Sequence, residues 1–358
     1  MRFKRFLLIF FFCVPFLVSQ TQFLSLSTGQ KIFASGMNLA WIDFDKDLVD
    51  FDEAEFARAL DDVSRAGGNT LRWWLHINGN VSPIFQGDSV IGLNPQEIPN
   101  LKKALDLAYE RKMIVLPVLW SFDMLQNNMG DRMNRNKRFL ENPALIQTYI
   151  DNALVPMVRA LKGHPALLAW EIINEPEGMS TKWGWTPVKV SMQTIQRFHN
   201  LLAGAIHRED PNAQVCNGCW NIMALSDQGD FHNYYSDAEL IAAGGDSLGT
   251  LDFYQVHYYP RWYGEAYSPF HHPASFWQLD KPLLIGEFQA KGFDQLEENS
   301  RLTSTMTTEK AYLYAMENGY AGALAWTWTG HDGFGDVQDA TPGMIRLKRD
   351  YPEVIVIN

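Results

Sequence analysis

The chain has 358 residues and a formal net charge of −11, and 46% of its residues are hydrophobic. So acidic a chain disfavours nucleic acid and anionic membranes as partners and fits a soluble protein with a neutral ligand. With three cysteines and no Cys/His set at ligand spacing, neither a disulfide framework nor a zinc site is expected.

The first residues read as a targeting segment. Arg2, Lys4 and Arg5 are followed by an apolar run, Phe6–Val18, that is shorter than the about 20 residues of a membrane span. Ser19 supplies a small residue before a cleavage point. Residues 1–19 are therefore expected to be a signal peptide, with an uncleaved anchor as the alternative. Residues 20–358 are expected to be one domain, secreted to the extracellular space or periplasm, with no membrane attachment after leader removal and monomeric.

From there the chain alternates strand and helix. Strand one is expected near Lys31–Asn38 and runs on to Trp41. Asp52–Ala66 repeats Phe56, Leu60 and Val63 at helical spacing and closes at Gly67-Gly68. Strand two is Asn69–Leu75 with Arg72 in its second half, helix two Pro99–Arg111, and strand three Met113–Trp120. A polar loop, Ser121–Arg138, leads to a long helix, Pro143–Lys162. Strand four is Leu167–Ile173, stopped by Pro176, which has no amide proton to continue a ladder. After a loop with Trp183 and Trp185 come a helix at Lys189–Arg208 and strand five at Ala213–Trp220. Cys216 and Cys219 lie inside that strand, where residues three apart face opposite ways and do not bridge. A short helix at Asp237–Ala243, strand six at Leu251–Tyr258 and an aromatic loop follow. Strand seven ends at Glu287, a polar loop runs from Gln289 to about Ser304, and a helix is expected at Thr307–Asn318. Strand eight is Ala321–Trp328 and a last amphipathic piece is Gly343–Arg349. Eight such units make a single (β/α)8 barrel of the α/β class, with its site on the face formed by the strand C-termini.

Two of those strands end in a glutamate, Glu175 and Glu287. Either one alone reads equally well as a salt-bridged strand end. On strands four and seven of one barrel they face each other across the mouth. A pair of carboxyls is what glycosidic bond cleavage needs, one to protonate the leaving oxygen and one, ionised, to attack the anomeric carbon. That chemistry calls for no metal and no cofactor. Asn174 is placed to bond a sugar hydroxyl. Arg72 and Tyr259 are candidates for holding an attacking carboxylate ionised, and His257 for orienting a carboxyl or binding substrate. Taken singly, Arg72 also fits a structural ion pair, and His257 a core histidine. Glu171, inside strand four, fits an ion-pair partner. Among the twelve Trp, Trp41, Trp120, Trp220 and Trp262 follow strands and are expected to ring the mouth as stacking platforms for sugar faces.

Trp170-Glu-Ile-Ile-Asn-Glu-Pro176, Arg72, His257-Tyr-Tyr259, Ile285-Gly-Glu-Phe288 and Trp326-Thr-Trp328, in this order, resemble glycoside hydrolase family 5, of a retaining clan built on (β/α)8 barrels. The resemblance runs from about Ile32 to the last helix. Within the family, Ser35–Trp41, Gly67–His76, Asn174–Gly178, Phe231–Asp237 and Phe253–His257 are similar to the animal-type endo-β-1,4-mannanases. The resemblance implies that Glu175 is the acid/base and Glu287 the nucleophile. It implies that Asn174, Arg72, His257 and Tyr259 support them. Trp326 would be the floor under the attacked sugar, with Trp328 as the second alignment of that motif. The implied partner is a β-linked polysaccharide, mannan or glucomannan. A β-1,4-glucanase, an exo-β-mannosidase and a non-catalytic polysaccharide-binding barrel are the competing readings. One departure stands out: where many members, cellulases above all, carry a His near the end of strand three, this chain reads Leu119-Trp120-Ser121.

Overall fold

A computed structural model describes residues 22–126, 131–293, 301–302 and 304–358. The expected signal peptide, residues 127–130 of the first polar loop, and 294–300 and 303 of the second lie outside these. Eight parallel strands form the centre: β1 Ala34–Ala40, β2 Thr70–Ile77, β3 Ile114–Ser121, β4 Trp170–Asn174, β5 Val215–Gly218, β6 Tyr254–Tyr258, β7 Leu283–Gln289 and β8 Gly322–Trp326. Hydrogen bonding runs β6-β7-β8-β1-β2-β3-β4-β5. The ring closes where Cys219 N donates to Gln255 O (3.2 Å) and His257 N to Cys219 O (2.9 Å). This is the (β/α)8 barrel that the alternating pattern predicts.

Alternation along each strand sorts side chains between two cores. Inward-facing Ile114, Leu116, Cys216, Phe253, Leu284 and Leu324 fill the lower barrel, below which Leu24–Ser25 pairs antiparallel with Lys31–Ile32. Outward-facing Trp73, Ile285 and Phe288 join the larger core beneath the helices. Helix α1, Glu53–Arg65, buries Phe56, Leu60 and Val63, and the Asp52 side chain caps it by accepting from Glu55 N. Such a cap is worth about 1 kcal/mol. Among the described residues, Cys216 and Cys219 are buried and free. Among the described residues, no helix is long and apolar enough to cross a membrane.

Three local features differ from the sequence expectation. The long helix after β3 runs Pro143–Tyr149 and Val155–Leu161 with a π turn, Ile150–Leu154, between them. Pro156 has no amide to donate to the preceding turn, so the helical ladder is re-registered there. The stretch expected as a loop, Ser121–Arg138, holds a 3-10 turn, Phe122–Leu125, and the start of a helix, Arg132–Glu141. That helix buries Asn136, which donates to Asn78 O and Met124 O, so no apolar period announces it. A hairpin, Ile84–Gln86 with Ser89–Gly92, also lies between β2 and the next helix.

Bulges set the direction of the functional side chains. On β7 the partner of Val256 is Ile285, yet the partner of His257 is Glu287, so Gly286 is the extra residue. Regular alternation from Leu284 would turn Glu287 outward; the bulge turns it into the barrel. A Cβ on residue 286 would overlap the Gln255 side chain, which is why the bulge falls on a glycine. The pairing of β4 with β5 shifts in the same way between Glu171 and Asn174.

Candidate active site

Arg72 is the hub of the upper barrel. It is fully buried, and its planar guanidinium uses all five N–H donors. Nε and Nη2 take Glu171 (2.7 and 2.5 Å), Nη2 also takes Asn174 Oδ1 (2.7 Å), and Nη1 takes Asn38 Oδ1 and Glu287 Oε1 (2.7 Å each). Burial alone would weaken its hold on the proton, but Glu171 and then Glu287 outweigh burial and raise its pKa. Arg72 is therefore a permanent cation that charge-pairs one side of the mouth.

Glu287 receives a donor on each oxygen: Arg72 on Oε1 and the Tyr259 hydroxyl on Oε2 at 2.9 Å. Asn38 braces the bulge beneath it, with Nδ2 donating to Gly286 O at 2.9 Å. Glu175 stands opposite. Its amide donates to Gly218 O at 2.6 Å, one residue past β4, and its backbone is left-handed (φ 45°, ψ 50°) before Pro176. That conformation costs about 1 kcal/mol or more in a non-glycine residue, a strain typical of functional positions. Glu175 Oε1 lies 3.0 Å from His257 Nδ1, which is also 3.5 Å from Glu287 Oε1. One oxygen from each carboxyl and a His257 ring nitrogen all fall within 4.8 Å of one another.

The environment separates the two carboxyls electrically. Burial raises both above the usual carboxylate range. For Glu287 the Arg72 charge and the Tyr259 hydrogen bond pull back down. Glu175 is pushed further up by the charges of Glu287 and Glu177. His257 is buried and faces Arg72, and both effects, burial first, hold it neutral. A shared proton therefore rests on Glu175 while Glu287 is ionised. The two carboxyls and His257 are also the described residues best spaced to hold a metal ion, but the Arg72 guanidinium already supplies the positive charge there.

Beyond the carboxyls the mouth is a cleft of connected compartments. One cavity of about 550 Å³ is lined by Phe122, Glu175, Trp185, Trp220, Tyr259, Trp262 and Tyr263. A second, of about 260 Å³, shares Phe122, Glu175, Tyr259 and Trp262 with it and adds Asn174, Glu287, Trp326 and Asp123. A third, of about 210 Å³, meets the second at Trp41, Trp326 and Asp332.

The match to known proteins follows this geometry. The model of the family described as cellulase (glycosyl hydrolase family 5) matches residues 27–332. The chain belongs to glycosyl hydrolase family 5. It is thus an enzyme of the O-glycoside hydrolase type. A mannan endo-1,4-beta-mannosidase of Mytilus edulis is 36% identical over 330 residues, 85% of either chain. A second, of Cryptopygus antarcticus, is 35% identical over 351 residues, 89% of this chain and 87% of its own. Among solved structures, the beta-mannanase of Mytilus edulis superposes with a TM-score of 0.81 at 33% identity, covering 93% of this chain and 98% of its own.

In this family 5 hydrolase, Arg72, Asn174, Glu175, His257, Tyr259 and Glu287 converge, and Trp41, Trp220, Trp262 and Trp326 line the cleft. Two of the expected aromatic residues do not reach it. Trp120 is fully buried, packed against His76, Phe139 and Tyr149. A large ring gains more from that enclosed site than from the rim, and Phe122 takes the cleft position instead. Trp328 docks on the outer helix, with Arg58 over its ring at 4.8 Å and Nε1 donating to Asp62 Oδ2 at 3.2 Å. The chain leaves the barrel after Trp326, so only Trp326 of that motif faces the cavity. Glu171 serves the Arg72 ion pair. Glu177 is buried beside Glu175 but is committed to the Tyr235 hydroxyl and to Trp220 N at 3.2 Å.

Other cleft residues carry no sequence reading of their own. Trp74 lies two residues after Arg72, on the same strand face, and strand alternation is the signal that finds it. Trp185 packs against Gly178, where a Cβ would overlap its ring. Asp123, Asp332 and Phe334 line the cleft, and buried Asn38 supports it from beneath through Arg72 and Gly286. All four are brought in by contacts between distant strands and loops, for which no local signal exists.

Proposed function

We propose that the chain is a secreted endo-β-1,4-mannanase that hydrolyses mannan or glucomannan with retention of configuration. The observation that carries the reaction type is the approach of Glu175 and Glu287, with one oxygen of each within 4.8 Å of the other. Double displacement uses carboxyls about 5–5.5 Å apart, whereas inversion leaves about 6.5–9.5 Å for a water between them. Glu287, held ionised by Arg72 and Tyr259, attacks the anomeric carbon. As that bond forms, the bond from the anomeric carbon to the leaving oxygen breaks, and the Glu175 proton passes to that oxygen. Glu175, now a carboxylate, then takes a proton from water. The water oxygen bonds to the anomeric carbon and releases the Glu287 carboxylate. Asn174, anchored through Oδ1 by Arg72, turns the rest of its amide toward the substrate. Trp326 supplies the apolar floor under the attacked ring.

Endo action is supported by the cleft continuing on both sides of the carboxyls rather than ending in a blind pocket. Mannan as substrate is supported by the printed activity of relatives at 35–36% identity. The leader expected at residues 1–19 supports secretion. The second reading is a β-1,4-glucanase, favoured by the cellulase description of the family. Product analysis on mannan, glucomannan, cellulose and mixed-linkage glucan tests the choice, with an NMR time course of the first-formed anomer for retention. Manno-oligosaccharides of mixed length, first formed as the β-anomer, are expected. Comparable kcat/KM on cello-oligosaccharides, or release of single mannose units only, overturns the substrate or the endo assignment.

A further inference from the structure

Mannose and glucose differ only in the configuration of the 2-hydroxyl, so a mannan enzyme needs a polar group that reads that position. Stacking on Trp326 is indifferent to it. Asn174, next to Glu175, is one polar group at this place, its Oδ1 already held by Arg72. Strand β3 pairs with β4 so that Ser121 faces Asn174, and Asp123 follows Ser121 by two residues. The Ser121 hydroxyl donates to Asp123 Oδ2 at 2.7 Å. Ser121 leaves Oδ1 untaken, and the side chain lines the compartment that also holds Asn174, Glu287 and Trp326. Asp123 is only 9% exposed, so a bond to substrate forms largely out of water, where leaving an acceptor unmatched is costly. Besides Ser121, the Arg132 charge acts on this carboxyl and favours its ionised, hydrogen-bond-accepting form.

We propose that Asp123, fixed by Ser121, is a specificity-determining residue that accepts a hydrogen bond from the 2-hydroxyl of the attacked sugar in the manno configuration. One acceptor held on one side of the ring is reached by that hydroxyl in one configuration and missed in the other. A site built to bond a hydroxyl rejects the analogue that does not present it far more strongly than an apolar wall does. The inference rests on the mannanase reading above.

The test compares kcat/KM on manno- and cello-oligosaccharides of equal length for the wild type, Asp123→Ala and Asp123→Asn. Loss of the bond is expected to lower kcat/KM on the manno substrate by on the order of tenfold to a hundredfold. The cello substrate should change little, so the ratio collapses. Asn keeps the shape and an oxygen acceptor but no charge, so it is expected to fall between. It also keeps the comparison valid where Ala disturbs the fold. Equal losses on both substrates, or no loss on either, overturn the role of Asp123 while leaving the mannanase reading in place. A wild type that prefers the cello substrate overturns that reading, and this inference with it.

Discussion

Arg72 Nη1 donates to Glu287 Oε1 at 2.7 Å, whereas Glu175, facing it, is bonded to the uncharged His257. That asymmetry assigns the roles. A cation and a hydroxyl donor favour the charged form of Glu287, which suits attack on carbon. A neutral partner and two nearby negative charges favour the protonated form of Glu175, which suits proton donation.

Glu287→Gln keeps the size of the side chain and its place beside Arg72 but removes the attacking charge. Turnover is expected to fall by on the order of a thousandfold or more, while manno-oligosaccharides still bind. Calorimetric titration alongside the rate assay checks both. A variant that keeps a tenth of the wild-type rate shows that another group attacks.

Glu175→Ala removes the proton donor. Substrates with poor leaving groups are expected to lose most, and aryl glycosides with acidic phenols least, because a stable phenolate needs no proton. On those activated substrates azide should restore turnover, entering the space vacated by the carboxyl and forming a glycosyl azide. Equal losses across leaving groups, with no azide product, would remove Glu175 from the acid/base role.

The pH dependence follows from the same pair. Burial raises both carboxyls, and Glu175 stands higher than Glu287 because Arg72 and Tyr259 donate hydrogen bonds to Glu287. Glu175 feels the Arg72 charge without a bond to it and is raised further by the charges of Glu287 and Glu177. The active state, Glu287 ionised and Glu175 protonated, exists between the two values. A plot of kcat/KM against pH is expected to be bell-shaped, with both limbs above the usual carboxylate range. Stability carries the matching sign. A group whose pKa is raised by folding stabilises fully below its unfolded value, near 4.5, and that contribution is lost as pH rises through the folded value. Glu175→Gln keeps a neutral side chain at every pH. At neutral pH it is expected to melt a few degrees above wild type, and its Tm should vary less with pH between mild acid and neutrality. Identical Tm profiles for the two proteins would show that Glu175 carries no such penalty.

Much of this was legible in the sequence, for identifiable reasons. Apolar runs ending in Pro176 or followed by polar loops mark strands, so both carboxyls were readable as strand C-termini, and that is where they lie. Their inward direction was not readable, because Glu287 owes it to a bulge at Gly286 that depends on Gln255 of a neighbouring strand. A Trp just past a strand carries no mark of which way it turns. Trp41 faces the cleft and Trp120 the core because of what Phe139 and Tyr149, on other elements, offer to the ring. Asn38 and Asp123 owe their places to pairings between strands far apart in the chain, which local pattern does not encode.

The last prediction uses a residue outside the chemistry. Gly178 follows the acid by three positions, and a Cβ there would overlap the Trp185 ring that packs against it. Gly178 shows no left-handed backbone, so Gly178→Ala introduces a steric change only, and Trp185, 43% exposed, is the part free to give way. Its displacement opens one wall of the larger cavity, on the Glu175 side. Long manno-oligosaccharides are expected to lose binding there, with KM rising several-fold and kcat nearly kept, since neither carboxyl moves. An aryl mannobioside whose leaving group is a single small ring should be nearly unaffected. Trp185→Ala provides the control and should raise KM in the same pattern, by an amount in line with the roughly 1 kcal/mol of a stacked aromatic contact. A loss of kcat on the short substrate would instead show that the residue at 178 acts through the position of Glu175.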